Sequence, residues 1–132
     1  MITVLFACVH NAGRSQIAAA LFNRHANPAK ARAISAGTRP ADRVHTEVVT
    51  LMREMGIDLS NQQPQKLTEA LAAQAQWLIT TGCGDECPVV PGAQRDDWPI
   101  ADPKGQPPEA VRNIAGDLEE RVRALIASHN WR

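Results

Sequence analysis

The sequence predicts an α/β fold, an open parallel sheet with flanking helices. Two observations predict it. Short apolar runs alternate along the chain with stretches whose apolar residues recur at helical spacing, and strands alternating with helices pair in parallel through right-handed crossovers. The stretch richest in chemistry, Cys8 to Ser15, directly follows the first apolar run, and sheets of this kind bind ligands at the carboxyl ends of their strands.

Taken in order, residues 2–7 read as a buried strand, with Ile2, Val4, Leu5 and Phe6. Residues 15–26 carry Ile17, Ala18, Leu21 and Phe22 at helical spacing, with His25 on the same stripe as a packed or half-exposed side chain, and Asn27 with Pro28 ends that helix. Residues 32–36 form a second short strand closed by Gly37. Across residues 43–55, Val44, Val48, Leu51, Met52 and Met55 recur at threes and fours, an amphipathic helix that Gly56 would cap. Residues 57–60 connect, and residues 64–75 read as an Ala-rich helix. Residues 76–81 are a third strand, opening into a glycine-bounded loop over residues 82–88. A weak fourth strand lies near residues 94–98, a loop follows to Pro103, and the last helix spans about residues 107–129 with prolines at its start.

Composition narrows the function. At 132 residues the chain is expected to form a single domain, residues 1–132. Fourteen basic and fourteen acidic residues leave a formal net charge of zero, so no electrostatic case exists for nucleic acid or an anionic membrane. No apolar run approaches the roughly 18 residues that span a bilayer. The start lacks the basic segment of a secretory signal, so a cytoplasmic, monomeric protein is expected. Three cysteines is an odd number, and in a reducing compartment it argues for reactive thiols rather than a disulfide framework.

The segment Cys8-Val9-His10-Asn11-Ala12-Gly13-Arg14-Ser15 places a strand end, a tight loop and a helix start in succession. Backbone N–H groups of Val9 through Arg14 would point inward in such a loop, and the helix dipole adds positive potential, so an oxyanion fits there. Arg14 can grip two of its oxygens through a planar fork. Cys8 sits in the same positive field, which favours thiolate over thiol, and Ser15 could donate its hydroxyl to that thiolate. The arrangement reads as an activated nucleophile aimed at a tetrahedral oxyanion. A lone cysteine ending a buried strand is often only a small hydrophobe; the small residues Ala12 and Gly13 and the helix after Arg14 favour the catalytic reading.

Two further groups fall at strand ends. Proline stiffens the backbone before it, so Asp102-Pro103 would hold a carboxyl in place as a general acid for a departing oxygen, although Asp-Pro is also a common turn. Cys83 and Cys87 lie four apart on the Gly82–Pro88 loop, within disulfide range if the segment is helical. A redox pair is favoured; half of a zinc site and two buried cysteines are the alternatives, and no second pair of ligands completes a metal site.

Together these residues resemble the low-molecular-weight protein tyrosine phosphatase superfamily and, within it, the arsenate reductases. The resemblance covers nearly the whole chain and rests on Cys8-x5-Arg14-Ser15 with Asn11, on Ser35-Ala36-Gly37-Thr38, on Met55-Gly56-Ile57-Asp58 and on Asp102-Pro103. It implies a four-stranded parallel sheet, Cys8 as nucleophile, Arg14 as oxyanion clamp, Ser15 as thiolate stabiliser, Asn11 as loop organiser and Asp102 as general acid. Phosphatases of this kind carry tyrosines after Asp-Pro, whereas here Lys104-Gly105 follows and the chain has no tyrosine. The Gly82–Pro88 segment is similar to the redox loop of three-cysteine arsenate reductases, with a shorter cysteine spacing. The resemblance thus implies a Cys8/Cys83/Cys87 relay reset by thioredoxin, with no metal or organic cofactor. The Cys8–Gln16 form of the loop also looks like actinobacterial reductases, some of which use mycothiol with a mycoredoxin partner. A phosphatase and a non-catalytic oxyanion or metal-binding module remain the other classes.

Overall fold

The computed structural model of the chain describes residues 1–82 and 91–132. Its core is a parallel sheet of four strands, β1 (Ile2–Cys8), β2 (Ala31–Gly37), β3 (Trp77–Thr80) and β4 (Gln94–Asp97), in the spatial order β2-β1-β3-β4. Two of the helices, α1 (Arg14–His25) and α2 (Thr46–Glu54), are joined by a long α4 (Pro108–Ser128) on one face, and a short α3 (Glu69–Ala72) lies on the other. The expected α/β class, parallel pairing and flanking helices are therefore observed.

β1 is central because its sequence can be buried on both faces, as parallel strands in this architecture must be. Val4 and Phe6 join Ile17, Leu21 and Phe22 of α1, Val48 and Met52 of α2, and Leu118 and Val122 of α4 in the main core. The alternate residues Leu5 and Ala7 turn to the second face, where Ala36, Ala72, Ala75 and Leu78 meet them. Two-residue periodicity thus divides one strand between two cores. Fully burying a side chain such as Leu5 or Phe6 contributes about 1.5–3 kcal/mol. β4 is the reverse case: all four residues, Gln-Arg-Asp-Asp, are exposed, a charged edge that discourages pairing with other chains. No helix is long and apolar enough to cross a membrane among the described residues.

Element bounds differ from the sequence reading in ways that matter for the site. The helix expected over residues 43–55 starts at Thr46, because His45 instead donates its backbone N–H to Ala12 O at 2.9 Å. Gly56 does follow its end, with φ +84, a left-handed conformation that glycine adopts without strain. The helix expected over residues 64–75 shrinks to α3. Residues 65–67 are recruited to the end of β2, where Gly37 N donates to Gln65 O and Leu67 N to Gly37 O. Only at Thr68, whose Oγ1 accepts from Leu71 N at 3.1 Å, does the chain turn helical.

Candidate active site

β1 ends at Cys8 and α1 begins at Arg14, with the connecting loop wrapped around the cysteine sulfur. β1 has the neighbours β2 and β3 on its two sides, so the loop sits where the strand order reverses, the crevice that sheets of this kind use for ligands. The loop is turned outside-in by its surroundings. Its carbonyl oxygens face away from the centre: Cys8 O accepts from Thr38 N, Val9 O from Arg39 N, His10 O from Ala41 N and Ala12 O from His45 N. This outer layer, residues 38–45, was invisible in the sequence, since backbone donors carry no side-chain signature.

The helix start supplies the donors of the cradle. The first turn-closing bond of α1 runs from Ile17 N to Gly13 O at 3.0 Å, so the N–H groups before it have no acceptor within the helix. Gly13 supplies no side-chain cap. N–H groups without an acceptor in the helix and the positive end of the helix macrodipole coincide there, an arrangement that can hold an anion.

Cys8 is buried, and its Sγ lies 2.9 Å from Ser15 Oγ and accepts the Asn11 N–H at 3.1 Å. Ser15 Oγ in turn accepts the Asn11 amide Nδ2 at 2.7 Å. Because Asn11 donates into the serine oxygen, the serine hydroxyl is left to donate to sulfur. Asn11 itself has φ +50, a left-handed conformation that asparagine tolerates better than most residues. Ser15 and Asn11 thus both contact Cys8 and each other.

Arg14 lies over this centre. Its Nη1 donates to Ile100 O at 3.0 Å and its Nη2 stands 3.9 Å from Asp102 Oδ2. Asp102 is half exposed, and its other oxygen accepts the Lys104 N–H at 3.0 Å. Asp102 is thereby brought to the guanidinium rather than directly onto Cys8. Val9 and His10 are half-buried, Ala12 and Gly13 buried, and His10 Nδ1 pairs with Arg39 O at 3.1 Å.

Three glycines are required by close approach. A Cβ on Gly13 would stand 2.8 Å from Pro103 Cγ, one on Gly37 would stand 2.6 Å from Val9 O, and one on Gly82 would overlap Arg14 Nη1. Together they let the loop, the end of β2, the end of β3 and the Asp-Pro segment close around one point. In the sequence Gly37 marks a strand end within the Ser35–Thr38 motif and Gly82 bounds a loop; neither position announces the contact that requires it. Gly82 is also the last described residue before Cys83; Cys83 and Cys87, the expected redox pair, lie outside the described residues. His25, expected to be packed or half exposed, is half-buried and meets Glu119 Oε2 at 3.0 Å.

One residue at the mouth was missed. His45 is half-buried beside Gly13, and burial pushes its imidazole below the usual range; the Glu47 and Asp102 carboxylates oppose that shift, and Lys104 and His10 add to it. No motif marks it. Its position follows from the bond of its backbone to Ala12.

A strand-end cysteine, an arginine six residues on and a cradle at the first helix are the geometry of a known family, and the pattern described as "Low molecular weight phosphotyrosine protein phosphatase" matches residues 3–130. The chain belongs to this family. Among its relatives, a putative arsenate reductase of Halobacterium salinarum is 36% identical over 129 residues, 95% of this chain and 91% of that one. The glutaredoxin arsenate reductase of Synechocystis is 35% identical over 127 residues, 94% and 95% of the two chains. The solved structure of a Corynebacterium glutamicum thioredoxin-dependent arsenate reductase superposes with TM-score 0.82 at 38% identity, covering 97% of this chain and 61% of that longer one. Likeness to members named as arsenate reductases accompanies the family fold.

Proposed function

We propose that the protein reduces arsenate to arsenite, with Cys8 as nucleophile. The observation that carries this reading is the sulfur of Cys8 held between two donors, Asn11 N and Ser15 Oγ, at the head of a helix whose first N–H groups have no acceptor within the helix. The positive head of that helix suits a tetrahedral oxyanion. The relatives at 35% and 36% identity, both named as arsenate reductases, and the absence of tyrosine to grip an aryl ring favour arsenate over an aryl phosphate.

In the proposed reaction, Cys8 attacks arsenic(V) in an arsenate bound by Arg14 and the loop amides of Val9 to Arg14. Asp102 gives its proton to the departing hydroxide, which leaves as water. The sulfur of Cys83 then attacks Cys8 Sγ; the As–S bond breaks, its electron pair reduces arsenic to arsenite, and a Cys8–Cys83 disulfide remains. Cys87 attacks Cys83, restoring the Cys8 thiolate and leaving Cys83–Cys87 for thioredoxin to reduce. Gly82, the residue before Cys83 in the sequence, stands against Arg14, which supports Cys83 as the first thiol to resolve the adduct. No metal or organic cofactor takes part in these steps, and the cytoplasm is the compartment in which such a thiol cycle would run.

The test is arsenite release with thioredoxin as reductant, run beside aryl-phosphate hydrolysis. Clear arsenite turnover with feeble phosphatase activity is expected, and the reverse outcome overturns the assignment. Cys87→Ser should complete one turnover and trap Cys8–Cys83, visible by peptide mapping, while Cys83→Ser stalls before it. Full turnover of both variants with mycothiol and a mycoredoxin would replace the relay by resolution with a small thiol.

A further inference from the structure

Gln16 belongs to no step of the proposed reaction, yet it is buried directly behind the nucleophile's loop. Its amide Nε2 lies 3.1 Å from Asn11 O and 3.2 Å from Asn11 Oδ1, the two carbonyl oxygens of a single residue. An amide nitrogen carries two hydrogens, one for each oxygen. Gln16 therefore ties the side chain of Asn11 to its own left-handed backbone. The Gln65 backbone N–H, which can only donate, also meets Asn11 Oδ1 at 3.0 Å. With both donors on the oxygen, the Nδ2 end of Asn11 must face Ser15 Oγ, and the Ser15 hydroxyl must turn its hydrogen on Cys8.

We infer that Gln16 is a positioning residue for the nucleophile: by holding both oxygens of Asn11 it fixes the direction of the hydrogen-bond chain Asn11 Nδ2 to Ser15 Oγ to Cys8 Sγ, and so keeps the serine hydroxyl donating to the sulfur. Without Gln16, a single backbone donor opposes a turn of the Asn11 amide. Once turned, the amide oxygen would accept from the serine hydroxyl, and the sulfur would lose a donor. The inference rests on the reading of Cys8 as nucleophile.

The test is carbamidomethylation of Cys8 in the full-length reduced protein, followed by peptide mapping, because it needs no arsenate and no reductant partner. Gln16→Met keeps the volume and removes both donors. At pH 7 its Cys8 should react about tenfold more slowly than wild type, the size expected for losing one hydrogen bond to a charged group. At pH 9.5, where any ordinary thiol is ionised, its rate should reach the wild-type level or exceed it. A general loosening of the fold would not produce that split. On an Asn11→Gly background, which keeps the left-handed backbone and deletes the amide, Gln16→Met should add nothing. Gln16→Glu, equally large and placing a carboxylate against two carbonyl oxygens, provides a second variant should Gln16→Met not fold, and should slow the pH 7 reaction at least as much.

Wild-type rates at pH 7 in the Gln16 variants would overturn the inference while leaving the nucleophile intact. So would a loss that persists undiminished on the Asn11→Gly background. A wild-type Cys8 no faster at pH 7 than an ordinary thiol would instead overturn the nucleophile reading beneath it.

Discussion

Two loops meet across Arg14, and they are built on opposite terms. The loop from Cys8 to Ser15 is closed: Asn11 and Ser15 are buried, their polar side-chain atoms are bonded to each other and to Cys8, Gln16 and Gln65, and its outward carbonyls are bonded by residues 38–45. The loop from Trp98 to Pro103 is open. Its Trp98 and Ile100 are anchored in the core, but the Asp102 carboxylate is 49% exposed, accepts the neighbouring Lys104 N–H and has Arg14 at 3.9 Å. The difference suits the two proposed roles. A nucleophile gains from donors fixed before the substrate arrives, since no reorganisation is then required during reaction. A proton donor must recover its proton from water after every turnover, so a carboxylate at the rim serves better than a sealed one.

The largest effect should come from the closed loop. Cys8→Ser is expected to abolish turnover while leaving the fold, because a hydroxyl supplies almost no anion near neutral pH. Circular dichroism beside an arsenite assay checks it; residual turnover above background would move the nucleophile elsewhere.

The open loop should be graded. Asp102→Asn is expected to keep oxyanion binding and to slow formation of the Cys8 adduct by about 10²- to 10⁴-fold, the usual range for a lost general acid. Unchanged single-turnover rates would return Asp102 to a turn residue and remove the functional half of the comparison.

Gly82→Ala probes the seam between the loops. The new Cβ would collide with Arg14 Nη1, and φ +111 is hostile to any side chain. Displacing the guanidinium by about 1 Å is expected to cost on the order of 10²-fold in kcat/KM, with Cys8 alkylation unaffected. Slowed alkylation would mean that the seam also supports the closed loop.

The smallest effect is a pH dependence of stability at the mouth. The folded chain holds His45 below its usual range, so below about pH 6.5 the unfolded chain takes up a proton more readily than the folded one. Stability from this residue is complete above that pH and declines as pH falls toward the folded value. Thermal melts between pH 7.5 and 5 should show the decline, and His45→Gln should flatten it. An identical slope in the variant would assign the effect to other groups.

The sequence by itself determined the alternation of strands and helices, because burial on two faces or one leaves a periodicity that is local and readable in β1, α2 and α4. It also singled out Cys8, Arg14, Ser15 and Asp102 as candidates, because their chemistry is concentrated in short spans whose spacing has physical meaning. Tertiary structure alone decided what surrounds them. Residues 64–75 have helical composition, but the unpaired end of β2 and the Asn11 side chain offered Gln65 and Leu67 long-range partners that outweighed local preference. Residues 38–45 orient the nucleophile's loop through backbone N–H groups that every residue but proline possesses. Gly82 and His45 matter for what stands beside them in space. A contact made by the main chain, or by a missing side chain, leaves no trace in the order of residues, and those are the contacts that turn a cysteine at a strand end into a site.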